Sequence, residues 1–161
     1  MIYFKKVEFK AEDGKVLQAA LDRFSEERGS LAGFQSKMTN LFFARQIVKN
    51  NINYTRLMSR FDRFAPKLIF NVVVKGGNCV CRFSLSNRSS GVLMLIIGGI
   101  VANIVLADKN APHYAGLIVL GSALAIFILF IILEYLQTQM KIKRAVSTYK
   151  LIRRIKLLHK M

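Results

Sequence analysis

The residues that could carry metal or nucleophile chemistry are few, and their spacing limits what they can do. His113 lies between two long apolar runs and His159 lies in the basic stretch that follows the second. If that second run crosses a membrane, the two imidazoles are on opposite sides. They cannot then share a zinc site or form a base with its orienting partner within one chain. Cys79 and Cys81 are two residues apart on a strand-like segment, so they point the same way, but two ligands are too few for a structural metal. The expected role is that of buried apolar thiols facing Val74 and Val72, free in a reducing cytoplasm. Gly76-Gly77 reads as a turn and not as a phosphate loop, because no helix follows it. Glu8, Glu12, Asp13, Asp22, Glu26 and Glu27 belong to no cleft motif, and Asp62 stands between Arg60 and Arg63. With no paired carboxylates and no nucleophile beside a base, the expectation is a non-enzymatic protein with no metal and no cofactor.

The stronger signal is charge. The 161-residue chain has 25 Lys and Arg against 9 Asp and Glu, for a net charge of +16. Such a surface attracts nucleic acid or anionic lipid, and charge alone does not choose between them. Hydropathy does. Gly91 to Ala107 holds no charged residue, with the uncharged stretch beginning at Ser89, and Tyr114 to Leu133 is a second, longer apolar run. A span needs about 20 apolar residues to cross some 30 Å of hydrocarbon. The second run meets this, and the first does so by including Ser89 and Ser90, with Arg88 snorkelling to the headgroups. The expected organisation is an α+β domain over 1–88, a two-helix transmembrane hairpin over 89–136 with spans at 89–107 and 114–136, and a basic amphipathic helix over 137–161.

Arg82 and Arg88 precede the first span, and Lys141, Lys143 and Arg144 follow the second. The connection Asp108-Lys109-Asn110-Ala111-Pro112-His113 is short and nearly neutral. The positive-inside rule then places both flanks in the cytoplasm. Met1 to Lys6 lacks an apolar h-region, so no signal peptide is expected. A domain tethered this close to a negative bilayer face has anionic lipid as its economical partner, each nearby cation contributing about 1 kcal/mol. The headgroup candidates are Arg56, Arg60 and Arg63 as a local cluster, then Arg88, Lys141, Lys143, Arg144, Lys150 and Arg154. A membrane-protein partner or a second copy is the other candidate; nucleic acid is not expected.

Within the spans, Gly98 and Ala102, and again Gly121 and Ala125, stand four residues apart. Such spacing lets helix backbones approach closely, inside the hairpin or between protomers. Asn103 is the strongly polar side chain of the first span, with Ser122 as candidate partner. Glu134, beside Tyr135 at the end of the second span, reads as an interfacial carboxylate.

The soluble part alternates in type. Ile2 to Phe9 reads as a strand, Asp13-Gly14 as a break, and Lys15 to Arg28 as an amphipathic helix closed by Gly29. Asn40 to Val48 and Ile52 to Phe61 read as strands about a Lys49-Asn50-Asn51 turn. Pro66 opens a hairpin of Lys67 to Lys75 and Cys79 to Ser86 about Gly76-Gly77. That register sets Val74 opposite Cys79, Val72 opposite Cys81, Phe70 opposite Phe83 and Leu68 opposite Leu85, all on one face. No Gly follows Gly121 and no Pro follows Pro112, so the second span can run unbroken into the tail. There Ile142, Val146, Tyr149, Ile152 and Ile155 share one stripe and Lys143, Lys150 and Arg154 another. Such a helix lies on anionic lipid or packs on protein, its own sheet included.

Phe64-Ala65-Pro66 with Leu68 to Val74, then Arg82-Phe83-Ser84-Leu85 leading into the first span, then Glu134 closing the second, resemble a group of small uncharacterised bacterial membrane proteins. In that group a sheet domain precedes a two-helix hairpin. The resemblance covers about residues 40–145 and departs at Asp62-Arg63, where the group has Asn-Ser. It implies a bacterial inner membrane and no activity. Two functions stay open: a membrane-anchored interaction module holding a protein partner or anionic lipid, or a small accessory or immunity-type protein whose hairpin acts on another membrane protein.

Overall fold

A computed structural model describes residues 3–28, 41–48, 51–57, 65–75, 78–105 and 114–158. The chain is α+β. Its elements are β1 (Tyr3–Lys10), α1 (Ala11–Arg23), β2 (Ser25–Glu27), β3 (Phe43–Val48), β4 (Asn51–Arg56), β5 (Leu68–Lys75), β6 (Asn78–Leu85), α2 (Asn87–Val105) and α3 (Tyr114–Leu158). The strands form one sheet in the order β1-β6-β5-β4-β3-β2. β3 to β6 run as an antiparallel meander, and β1 joins its far edge antiparallel to β6. The short β2 pairs parallel to β3 at the other edge. Helix α1 therefore crosses one sheet face from the β1 edge to the β2 edge, as a connection between distant strands must.

The β5–β6 pairing has the register expected from the alternation. Leu68 faces Leu85, Phe70 faces Phe83, Val72 faces Cys81 and Val74 faces Cys79. A slip of one residue would turn this whole apolar set to the other face. Gly76 and Gly77 themselves lie outside the described residues. The apolar face meets Leu17 and Leu21 of α1 and Phe24 just after it, with Phe43, Tyr54, Phe70, Cys81 and Phe83 at the centre of the core. Aromatic rings tile it: Phe43 meets Phe70 edge-on at 5.6 Å, and Tyr54 stacks on Phe70 at 5.5 Å.

The first helix differs from its expected bounds. It begins at Ala11 and ends at Arg23, so Asp13-Gly14 lies inside its first turn, and Ser25 to Glu27 are strand. Gly14 is a packing residue here. A Cβ on it would stand 2.1 Å from Cys79 Cβ and 2.7 Å from Cys79 Sγ. The missing side chain lets α1 lie directly on β6, and that contact outweighs the poor helix propensity of glycine. Gly29, expected to close the helix, lies outside the described residues. β4 ends at Arg56, short of the expected Phe61, and 58–61 are likewise outside.

Helices α2 and α3 are long and apolar enough to cross a membrane. They lie side by side with opposite directions: Gly99 sits against Leu120, and Asn103 against Gly116. Asn103 thus meets a glycine of the neighbouring helix, where a Cβ would come within 2.9 Å of its Oδ1. Ser122 is not its partner, because the Ser122 hydroxyl donates to Ile118 O of its own helix and is exposed. The four-residue pairs are likewise outside this contact. Gly98 and Gly121 have open space beside them, and Ala102 and Ala125 are exposed.

Helix α3 runs unbroken for 45 residues. Its first part is exposed and apolar. Its second part is built into the sheet core: Ala145 is fully buried there, and Tyr135, Ile142, Val146, Tyr149 and Ile152 pack against the same core. Of the expected tail stripe, four members face protein, and Ile155 is exposed.

Candidate functional site

The sheet and α3 meet at a buried ion pair. Alternation along β4 sends Ile52, Tyr54 and Arg56 to the helix-facing side, and Arg56 is the last residue of the strand. Glu134 is the residue of α3 level with it. Arg56 Nε donates to Glu134 Oε1 at 2.9 Å, and Arg56 Nη2 donates to Glu134 Oε2 at 2.6 Å. The side chains are only 7% and 2% exposed. Two parallel charge-assisted bonds fix both distance and orientation, which a single contact would not. One turn further, Thr138 is buried, and its hydroxyl has no hydrogen-bond partner among the described residues. The Tyr135 ring meets Phe83 edge-on at 5.1 Å, and Lys5 Nζ lies 4.9 Å from the Tyr135 ring centre.

Cations gather around this junction. Lys67 and the start of α2 are tied together: Ser86 N donates to Lys67 O, Lys67 N donates to Ser89 Oγ at 2.8 Å, and Ser89 N donates to Ser86 Oγ. Ser86 therefore caps α2, and Arg88 sits exposed in its first turn. Burial pulls the Lys67 ammonium below its ordinary pKa, and the positive charges of Arg88 and Arg28 pull it the same way, against Glu134. On the other side of the junction Lys141 is half-buried, its Nζ 5.0 Å from the Phe42 ring centre. Burial lowers its pKa as well, followed by the charges of Arg144 and Arg56. Lys141, Lys143 and Arg144 line a groove of about 680 Å³ together with Gln137, Met140 and Ser147. Crowded cations that disfavour one another's charge are a setting in which an anion is stabilised.

The expected headgroup set thus divides. Arg56 is withdrawn into the pair with Glu134, so it is not a surface cation; Arg60 and Arg63, the other members of the expected cluster, lie outside the described residues. Arg88, Lys143, Arg144, Lys150 and Arg154 are exposed. Glu134 is buried as the partner of Arg56 on the sheet.

The acids of the first helix and its flank serve the sheet edge. Asp22 accepts from Tyr54 Oη at 2.8 Å and from Arg45 Nη1 at 3.3 Å, while Arg45 Nη2 donates to Glu27 at 2.8 Å. Burial, then the bond to Asp22, pushes the Tyr54 phenol well above its ordinary range. Both cysteines are free and buried, with no disulfide between them. Burial pushes the Cys81 thiol up to about 12. A thiol held so far from ionisation is a poor nucleophile and a poor ligand at neutral pH. Among the described residues no three His, Cys, Asp or Glu side chains gather as a metal site would require.

No family model, no curated protein and no solved structure matches the chain.

Proposed function

We propose that the chain is a membrane-anchored, non-enzymatic interaction module. In this reading α2 and the first half of α3 form a transmembrane hairpin with both flanks cytoplasmic, and the second half of α3 holds the sheet domain at the anionic inner face. The observation that carries it is the double use of α3: one uninterrupted helix is membrane-length and apolar in its first half and part of the domain core in its second. A flexible tether would leave the domain free to tumble, whereas a shared helix sets its height and orientation.

That height sorts the cations. Arg88 lies near the inner end of α2. Counted from Leu136, the end of the expected span, Lys141 to Arg144 stand about 8–12 Å further along the axis, and Lys150 to Arg154 about 21–27 Å. Headgroups occupy about 5–8 Å beyond the hydrocarbon on each side, and the Debye length at physiological salt is about 8 Å. A usual tilt of about 20° shortens these heights by only about 6%. Arg88, Lys141, Lys143 and Arg144 therefore reach the lipid charge, and Lys150 and Arg154 do not.

The test uses the full chain in nanodiscs of equimolar phosphatidylcholine and phosphatidylglycerol, with co-retained lipid identified by native mass spectrometry. Phosphatidylglycerol should be enriched. Changing Arg88, Lys141, Lys143 and Arg144 together to Gln should reduce the enrichment at least about tenfold, each cation contributing about 1 kcal/mol. Lys150→Gln with Arg154→Gln should leave it unchanged. No enrichment, or equal loss from both sets, contradicts the reading.

A second reading is favoured by one observation. Gly98, Ala102, Gly121 and Ala125 present small, open surfaces away from the α2–α3 contact. An accessory role, with the hairpin packing on another membrane protein, would use those surfaces.

A further inference from the structure

Beyond Ile152, its last core residue, α3 continues to Leu158 with nothing described against it. Leu151, Ile155 and Leu158 are 59%, 47% and 71% exposed. They follow the i, i+4, i+7 spacing, so they form a stripe on one side of the helix. At 100° per residue that stripe is centred about 120° around the helix from the side that carries Ala145, Tyr149 and Ile152 into the core, with Ile155 at the edge nearest Ile152. Lys150 and Arg154 are exposed along one flank of it, Arg153 and Lys156 are exposed on the far side of the helix, and no acidic residue follows Glu134 anywhere in the chain.

We propose that the projecting end of α3, Lys150 to Leu158, is a docking helix for a protein with an apolar groove rimmed by acidic side chains. This rests on the membrane-anchored reading above, because α3's anchored half sets the height of the site. Three apolar side chains at this spacing are the anchors of helix-in-groove recognition, and the flanking cations fit an acidic rim. The other occupants fit less well. The chain's own bilayer is more than a Debye length away. A second copy would bring two uniformly basic helices together without an acid on either to offset the repulsion. The shared core keeps the helix formed before binding, so the partner need not supply the ordering cost that a disordered tail would impose.

Calcium-loaded calmodulin serves as a probe of this chemistry, being acidic with an apolar groove. The full chain in phosphatidylcholine nanodiscs should bind it, and binding should weaken as salt rises. Leu151→Ser, Ile155→Ser and Leu158→Ser together should reduce affinity at least tenfold while insertion into the nanodisc is unchanged. Loss of insertion in the unaltered chain would instead mark failure of the anchoring reading. A spin label on Ile155→Cys distinguishes the other occupants. In phosphatidylglycerol nanodiscs it should stay accessible to a water-soluble relaxant and show no dipolar coupling to a second label. No binding of calmodulin, binding indifferent to the triple substitution, burial of the label in lipid, or strong label–label coupling would each overturn the proposal.

Discussion

At the scale of single residues, the junction depends on Arg56 and Glu134. Both are buried, so removing one leaves an uncompensated charge out of water. Glu134→Gln or Arg56→Met alone should cost about 3–5 kcal/mol, whereas Arg56→Met with Glu134→Met should recover most of it. Thermal unfolding of the full chain in one detergent, arranged as a double-mutant cycle, measures this. Single substitutions that each cost under about 1 kcal/mol, the range of exposed pairs, would show that the pair is not held out of water. The two partners are 78 residues apart in sequence, and nothing local joins them. Arg56 has Arg60 and Arg63 as sequence neighbours, which suggests a surface cluster, and Glu134 follows an apolar run, which suggests an interface. One signal pointed to a tertiary partner. No cation occurs within four residues of Glu134 on either side, so no helical neighbour could have neutralised it.

At the scale of elements, the sequence pattern was enough for the β5–β6 hairpin and for the two long apolar helices, because burial of one face specifies register and an unbroken apolar run specifies a helix of membrane length. It was not enough for α1. Asp13-Gly14 has the composition of a turn, and local chemistry contains no trace of the strand that presses on it. The close approach to Cys79 explains why glycine is there and gives a sharp test. Gly14→Ala should destabilise the chain by about 1–3 kcal/mol, as overpacking does, despite the better helix propensity of alanine. Cys79→Ala should not rescue it, since the clash is with a Cβ, and Cys79→Gly should rescue part of it. Folded yield and thermal midpoint in detergent report the outcome. A neutral or stabilising Gly14→Ala would mean that α1 does not rest on β6. The tail stripe was legible as amphipathic, but its partner was not. An Ile-rich face serves lipid and protein equally, and only the sheet packed beside it shows that Ile142, Val146, Tyr149 and Ile152 belong to the core.

At the scale of the whole molecule, the account has a sheet domain fastened by one long helix to a bilayer that the same helix crosses. The domain's orientation, the division of the cations into near and far sets, and the exposed end of α3 all follow from that arrangement. They would all fail together if the apolar helices did not cross a membrane with both flanks on one side. Site-directed thiol labelling tests this most directly, and the protein's own thiols favour it. Cys79 and Cys81 are buried, and both are pushed above their ordinary pKa by burial, so they should stay silent toward a maleimide at neutral pH. Two single variants suffice, Asn110→Cys in the connection between the spans and Leu158→Cys at the end of α3, each in intact cells with a membrane-impermeant maleimide. The account predicts that Asn110→Cys is labelled at once and that Leu158→Cys is labelled only after the membrane is opened. Labelling of Leu158→Cys in intact cells, with Asn110→Cys protected, would contradict it.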